Sequence, residues 1–247
     1  MSDSLPPIEW IDSCDSTNSR LAALAPSAGE LTLATRCQTA GRGQRGNSWE
    51  AEPGRNLTFS MLLRPRHIPA ARSFEISMVV ALALTGTLQR HLPAHIVEVK
   101  WPNDIYVADR KLCGILIENS FCGTTLERVI AGIGVNVNQT VFESDAPNPV
   151  SMARLTGRTF ALEPLLAEIS DAIASAVHTY DAHPQPDSLA ERYHAVLWRR
   201  TGTHPWLDCR TGRRIEAAIR SVALTGHLTL DTDPPLTYAF KEISAIL

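Results

Sequence analysis

What is scarce in this 247-residue chain narrows it first. The five cysteines (Cys14, Cys37, Cys113, Cys122, Cys209) are odd in number and never closer than nine residues. That spacing excludes a disulfide framework and a CxxC zinc knuckle, and reduced thiols are expected. Positive charge is not in excess: 23 Lys and Arg stand against 26 Asp and Glu, a formal charge of -3. No global field exists to condense on nucleic acid or an anionic membrane, so neither partner is expected and any basic chemistry must be local. The longest apolar stretch, Ile76 to Leu88, is short and broken by Ser77, Thr85, Gly86 and Thr87, too little to span a bilayer. The opening Met-Ser-Asp-Ser-Leu-Pro-Pro lacks the basic and apolar regions of a secretion signal, and a cytoplasmic location is the expectation. The eight histidines form no ligand pattern, since Pro93 interrupts the helix that would align His91 with His95. No G-x-S-x-G elbow supports serine hydrolase chemistry.

What is present is an ordinary globular composition, 44% apolar and 20% charged, long enough for one large domain or a medium plus a small one. The texture changes near Pro147 to Pro149 and again after Trp198, and a main domain over 1–198 with a small C-terminal domain over 199–247 is expected. Strand patterns occur at Ile8 to Ile11, Leu31 to Arg36, Leu57 to Leu63, Ile96 to Lys100, Ile105 to Val107, Lys111 to Glu118 and Val129 to Val137. Between them, Asp15-Ser16-Thr17-Asn18 reads as the cap of a short helix, and about Ser73 to Leu92 as an apolar helix. Leu162, Leu165, Leu166, Ile169, Ile173, Val177 and Tyr180 share one helical face, and a weaker helix covers roughly Ser188 to Trp198. After these, Arg214 to Val222, Leu228 to Leu230 and Thr237 to Phe240 alternate with turns. The expected fold class is α+β: a mixed, mostly antiparallel sheet covered by helices, plus a small C-terminal β-barrel.

Four constellations carry chemistry. Gly41-Arg42-Gly43-Gln44-Arg45-Gly46 satisfies G-x-G-x-x-G after a strand, yet no apolar helix follows and residue 66 is an arginine where a dinucleotide site needs an acidic ribose ligand. Kinase and Walker loops fail as well, because Ser48 takes the valine position and Gly-Lys-Ser/Thr is absent. What remains is a loop whose glycines admit a ligand to the backbone and whose guanidiniums suit carboxylate or phosphate oxygens; a solvated turn is the plainer reading. Trp49 ends the loop as a core anchor or an apolar wall. Lys100-Trp101-Pro102-Asn103-Asp104 packs a cation, an aromatic, a turn and a carboxylate into five residues. Asp104 could hold Mg²⁺ or accept a proton from an amine, though taken alone the run is better explained as an Asx turn. Lys111 starts a strand in which Gly114 clears space, and could reach into a site or simply snorkel at the sheet edge. Gly132, Gly134 and Asn136 fall on one strand face, where a flat ligand could lie over the glycines; a sheet bulge is the alternative.

Taken in order, Asp15-Ser16-Thr17-Asn18, the run Gln38 to Trp49, Lys100-Trp101-Pro102-Asn103-Asp104-Ile105, Arg110 to Glu118 and Gly132-Ile133-Gly134-Val135-Asn136-Val137-Asn138 resemble the biotin protein ligase family. The resemblance spans about residues 8 to 140 and is specific in order and spacing. It implies a class II synthetase-like catalytic domain and, more weakly, an SH3-like C-terminal barrel. It also implies ATP-dependent attachment of biotin, through biotinyl-5'-AMP and with Mg²⁺, to a lysine of a carboxylase's biotin carrier domain, and it leaves a homodimer open. By the same match Ser16, Thr17, Asn18 and Gln38 would hold the ureido head of biotin, with Gly41, Arg42, Gly43, Gln44, Trp49 and Gly114 around the rest of it. Lys111 would bridge the biotin carboxyl and the phosphate, and Arg42, Arg45, Trp49, Asn103, Asp104 and Asn136 would meet the nucleotide, Asn136 at adenine. Arg42, Lys111 and Asp104 are the catalytic candidates, Asp104 to orient or deprotonate the acceptor amine, or to hold Mg²⁺. Two departures accompany the match: Gln44 and Asn47 stand where the best-known form of the loop has arginine, and only about a dozen residues precede the first motif, so a ligase without a DNA-binding winged helix is expected. The nearest rivals are a lipoate or octanoyl transfer enzyme of the same fold, and a non-catalytic binder of biotin or its adenylate.

Overall fold

The computed structural model describes residues 5–43, 49–143 and 148–247. Seven strands form the main sheet in the order β1-β2-β3-β7-β6-β5-β4: β1 (Ile8–Cys14), β2 (Leu31–Gln38), β3 (Leu57–Leu63), β4 (Val97–Lys100), β5 (Asp104–Val107), β6 (Arg110–Cys122) and β7 (Thr125–Val135). Only β1 and β2 run parallel; all other neighbours are antiparallel. The sequence expectation of a mixed, mostly antiparallel sheet therefore holds. Helices α2 (Phe74–His91), α4 (Leu162–Ala182) and α5 (Pro186–Ala195) cover one face. The apolar positions of α4 named above are all buried there, against β3 and α2. Residues Ala70–His91 are long and apolar enough by composition to cross a membrane, but ten residues of α2 are buried inside the protein's own core.

The short helix α1 (Thr17–Ala22) starts where the sequence placed it: Ser16 is the N-cap and its hydroxyl accepts from the Ser19 N–H. A further short helix, α3 (Met152–Thr156), was not foreseen. At the C-terminus a second, antiparallel sheet has the order β11-β10-β9-β8-β12, from β8 (His204–Asp208), β9 (Arg214–Val222), β10 (Leu228–Asp231), β11 (Leu236–Tyr238) and β12 (Ile243–Ala245). Strands β8 and β12 escaped the sequence reading because one opens on His204-Pro205 and the other is three residues long.

Register determines what the uncovered face of the main sheet presents. Lys100 pairs with Asp104, Asp104 with Gly114, Gly114 with Gly134 and Gly134 with Thr58, so one row crosses five strands on a single face. Strict alternation from Gly114 would put Lys111 on the opposite face, with Cys113 in the core. A bulge between Ile105 and Tyr106 inserts one residue of β6, so that consecutive Leu112 and Cys113 are both fully buried and Lys111 returns to the open face.

Candidate active site

Over that face lies a cavity of about 430 Å³, closed on its far side by Trp206, Phe240, Lys241 and Ser244 of the C-terminal segment. Its size is that of a small-molecule site. The floor is built first. Thr17 and Asn18, at the start of α1, are buried, and the Thr17 N–H donates to Gln38 Oε1 at 2.9 Å. Thr17 Oγ1 lies 2.6 Å from Ser60 Oγ, and Ser60 donates to Asn18 Oδ1 at 2.5 Å. Asn18 occupies space that a side chain at residue 132 would fill, since a Cβ on Gly132 would sit 2.2 Å from its Oδ1. Gly134 and Gly114 likewise make room for the indole of Trp49, 2.2 Å and 3.1 Å from their ideal Cβ positions. Of the two glycines over which a flat ligand was expected, Gly134 is thus covered by the chain's own tryptophan and Gly132 by Asn18. The buried Trp49 indole N–H has no acceptor among the described residues.

The walls carry charge. Arg42, Lys100, Lys111 and Lys241 line the cavity, with Asp104 as the one carboxylate among its lining residues. Lys111 Nζ is 2.8 Å from Asp104 Oδ1 and 5.7 Å from the centre of a Trp49 ring. Burial pushes the Lys100 ammonium below the ordinary lysine range; Asp104 opposes this, while Lys111 and Arg199 add to it. Positive groups gathered on one wall in this way suit an anionic ligand.

Most sequence candidates converge here: Ser16, Thr17, Asn18, Gln38, Arg42, Gly43, Trp49, Asn103, Asp104, Lys111 and Gly114 all line the cavity. Gly41 does not. It closes the base of the loop, where its carbonyl accepts from the Trp49 N–H at 3.0 Å. Asn136, the candidate for adenine, is buried outside the lining, its amide nitrogen donating to the carbonyls of Val150 and Lys111, so it braces the Lys111 backbone. Asn103 lines the wall but spends its amide on the Ile115 carbonyl at 2.7 Å. Gln44 and Arg45 lie outside the described residues. Asp104, the residue to which Mg²⁺ was assigned, has its carboxylate engaged by the Lys111 ammonium, and no group of three His, Cys, Asp or Glu stands beside it among the described residues.

Sequence reasoning passed over Lys100, Glu118 and the C-terminal wall. Lys100 and Glu118 stood inside quoted motifs without a role; Phe240 and Lys241 belong to no local pattern and arrive through tertiary packing. Trp101 joins the two sheets, its indole N–H donating to the Gly226 carbonyl at 3.0 Å and its ring meeting Phe240 edge-on.

A helix-covered mixed sheet, a second small sheet closing one side and a cation-walled, polar-floored cavity between them define the class: an α+β protein built to hold a small acidic ligand. Residues 10–136 match the model of the biotin/lipoate A/B protein ligase family. A biotin--[acetyl-CoA-carboxylase] ligase of Paracoccus denitrificans is 35% identical over 204 residues, covering 80% of this chain and 82% of the relative. The bifunctional ligase/repressor BirA of Salmonella typhimurium is 39% identical over 138 residues, 54% of this chain but 42% of the relative, so the chain matches less than half of that protein's length. Among solved structures, a biotin protein ligase from Aquifex aeolicus in complex with biotin and ATP superposes with a TM-score of 0.78 at 22% identity, covering 96% of this chain and 97% of the other, a likeness of fold. The chain belongs to the biotin/lipoate A/B protein ligase family.

Proposed function

We propose that this protein is an ATP-dependent ligase that activates biotin as biotinyl-5'-AMP and transfers the biotinyl group to a lysine of a carboxylase's biotin carrier domain. The observation that carries the reading is the convergence of Arg42 and Lys111, from separate stretches of chain, on one cavity that a buried polar network also lines. In the first step a biotin carboxylate oxygen attacks the α-phosphorus of ATP, forming the mixed anhydride and releasing pyrophosphate. Two anions must meet, so cations fixed beforehand lower the barrier most. Lys111 is assigned to the junction of carboxylate and phosphate, and Arg42 to the carboxylate end. Lys100, on the same wall, adds positive charge on the phosphate side. Thr17, Asn18 and Gln38 are assigned to the ureido head, whose carbonyl and N–H groups match an amide and hydroxyl floor.

In the second step the ε-amine of the carrier lysine attacks the acyl carbon, the bond from that carbon to the phosphate oxygen breaks, AMP leaves and the amine proton passes to solvent. Asp104, held by Lys111, is assigned to orient that amine as Lys111 shifts to the leaving phosphate. Mg²⁺ enters the proposal only as an ion accompanying ATP, its charge compensating the phosphates; no residue is assigned to it. The test is transfer of labelled biotin, in the presence of ATP, to an isolated carrier domain. A single biotinyl mass shift at one lysine is expected. Equal or better transfer with lipoate would move the assignment to the lipoate side of the family, and binding of biotin without turnover would make the chain a binder.

A further inference from the structure

Glu118 has no part in the reading above. It stands on β6 outside the cavity lining, on the same strand face as Gly114 and Leu116. Its Oε2 accepts from Asn18 Nδ2 at 2.7 Å and from Arg42 Nη2 at 3.0 Å, and its Oε1 from the same Nη2 at 3.2 Å. An exposed ion pair alone contributes little. Here, however, one partner of the carboxylate is fixed: Asn18 is buried, wedged into the space left by Gly132 and bonded to Ser60. Glu118 is therefore anchored on the floor and reaches up to the loop. It engages Arg42 through one nitrogen, and Nε and Nη1 of the guanidinium make no hydrogen bond among the described residues. That is the arrangement of a holder: one edge of the planar fork is gripped and the other is presented to an incoming anion.

We propose that Glu118 is a positioning residue that fixes the Arg42 guanidinium relative to the Asn18 floor, so that the polar head and the acid end of one ligand are read at a set separation. The inference deepens the proposed function and rests on it. The experiment is biotin-dependent exchange of labelled pyrophosphate into ATP by the full chain, as wild type, Glu118→Gln, Arg42→Lys and the double variant, with kcat and the KM for biotin separated and the thermal midpoint recorded. Glu118→Gln keeps size and can still accept from Asn18 but loses the charge gripping Arg42. Its kcat/KM should fall about tenfold with an unchanged midpoint. In the Arg42→Lys background, where the fork is already gone, the same substitution should cost less than threefold. A loss below threefold in the wild-type background, or the same loss in both backgrounds, overturns the proposal. Should Glu118→Gln lower the midpoint, Glu118→Asp, which keeps the charge and withdraws it by one methylene, is carried through the same cycle under the same criterion. Absence of biotin-dependent exchange in the wild type would instead refute the ligase reading.

Discussion

The seat of Trp49 offers a sharp perturbation, Gly134→Ala. An added Cβ would lie 2.2, 2.4 and 2.5 Å from three indole atoms, where ordinary contact begins at 3.4 Å. Strand β7 cannot yield, because Gly134 is paired on one side with Thr58 of β3 and on the other with Gly114 of β6. The indole must therefore retreat by more than 1 Å. Overpacking of this kind costs about 1–3 kcal/mol, and in a chain of this length each kcal/mol lowers the thermal midpoint by roughly 2–4 °C. Since Trp49 forms the cavity wall beside Lys111, a displacement of this size should reduce biotin-dependent pyrophosphate exchange by about 10²-fold. Gly86→Ala is the control: it is exposed in α2, an added Cβ meets nothing within 4 Å, and the change should stabilise by about 0.5–1 kcal/mol with exchange unaltered. Assays are exchange kinetics, thermal unfolding and tryptophan emission. A Gly134→Ala protein with wild-type emission, stability and exchange would refute the packing argument.

Three further outcomes follow from the charges and the seam between the sheets. Lys100 sheds its proton below the ordinary lysine range, so nucleotide affinity should begin to fall on the alkaline side before that range is reached; Lys100→Arg should move the fall to higher pH, and a titration of ATP binding against pH checks it. The Asp208 carboxyl is held down to about 2, chiefly by the Arg210 side chain and also by the Arg210 N–H and the Tyr238 hydroxyl. Because its folded value lies below the unfolded one of about 3.9, its stabilisation is complete above that pH and is lost as pH falls toward about 2. Asp208→Asn should lower the urea midpoint at neutral pH and flatten its acid dependence. Trp101→Phe removes the bond to the Gly226 carbonyl, worth about 0.5–1.5 kcal/mol, and should speed amide hydrogen exchange in 204–245 while leaving β3, β6 and β7 protected; an unchanged pattern would contradict the clamp.

How much of this was legible beforehand follows from where each signal resides. Strands β3 and β9 appear at the residues their alternation suggests, and α4 buries the face its period marks. The helix cap at Ser16 and the basic glycine loop were legible because cap, glycine and charge patterns are local, whereas Thr17, Asn18 and Gln38 were singled out by the family resemblance. The bulge that returns Lys111 to the open face depends on pairing with β5, which no single strand's pattern reveals. Asn136 lies just beyond the end of β7, where its amide nitrogen turns to the carbonyls of Lys111 and Val150, a contact that strand periodicity does not encode. Phe240 and Lys241 reach the cavity by tertiary packing alone.

Arg42 and Lys111 are proposed to act together on one anionic junction. The most direct measurement is biotin-dependent pyrophosphate exchange by Lys111→Ala and Arg42→Ala, each checked for native stability. A fall of about 10²–10³-fold for each is predicted, as for removal of one prearranged electrostatic contact. Exchange within a few-fold of wild type in either folded variant would contradict it.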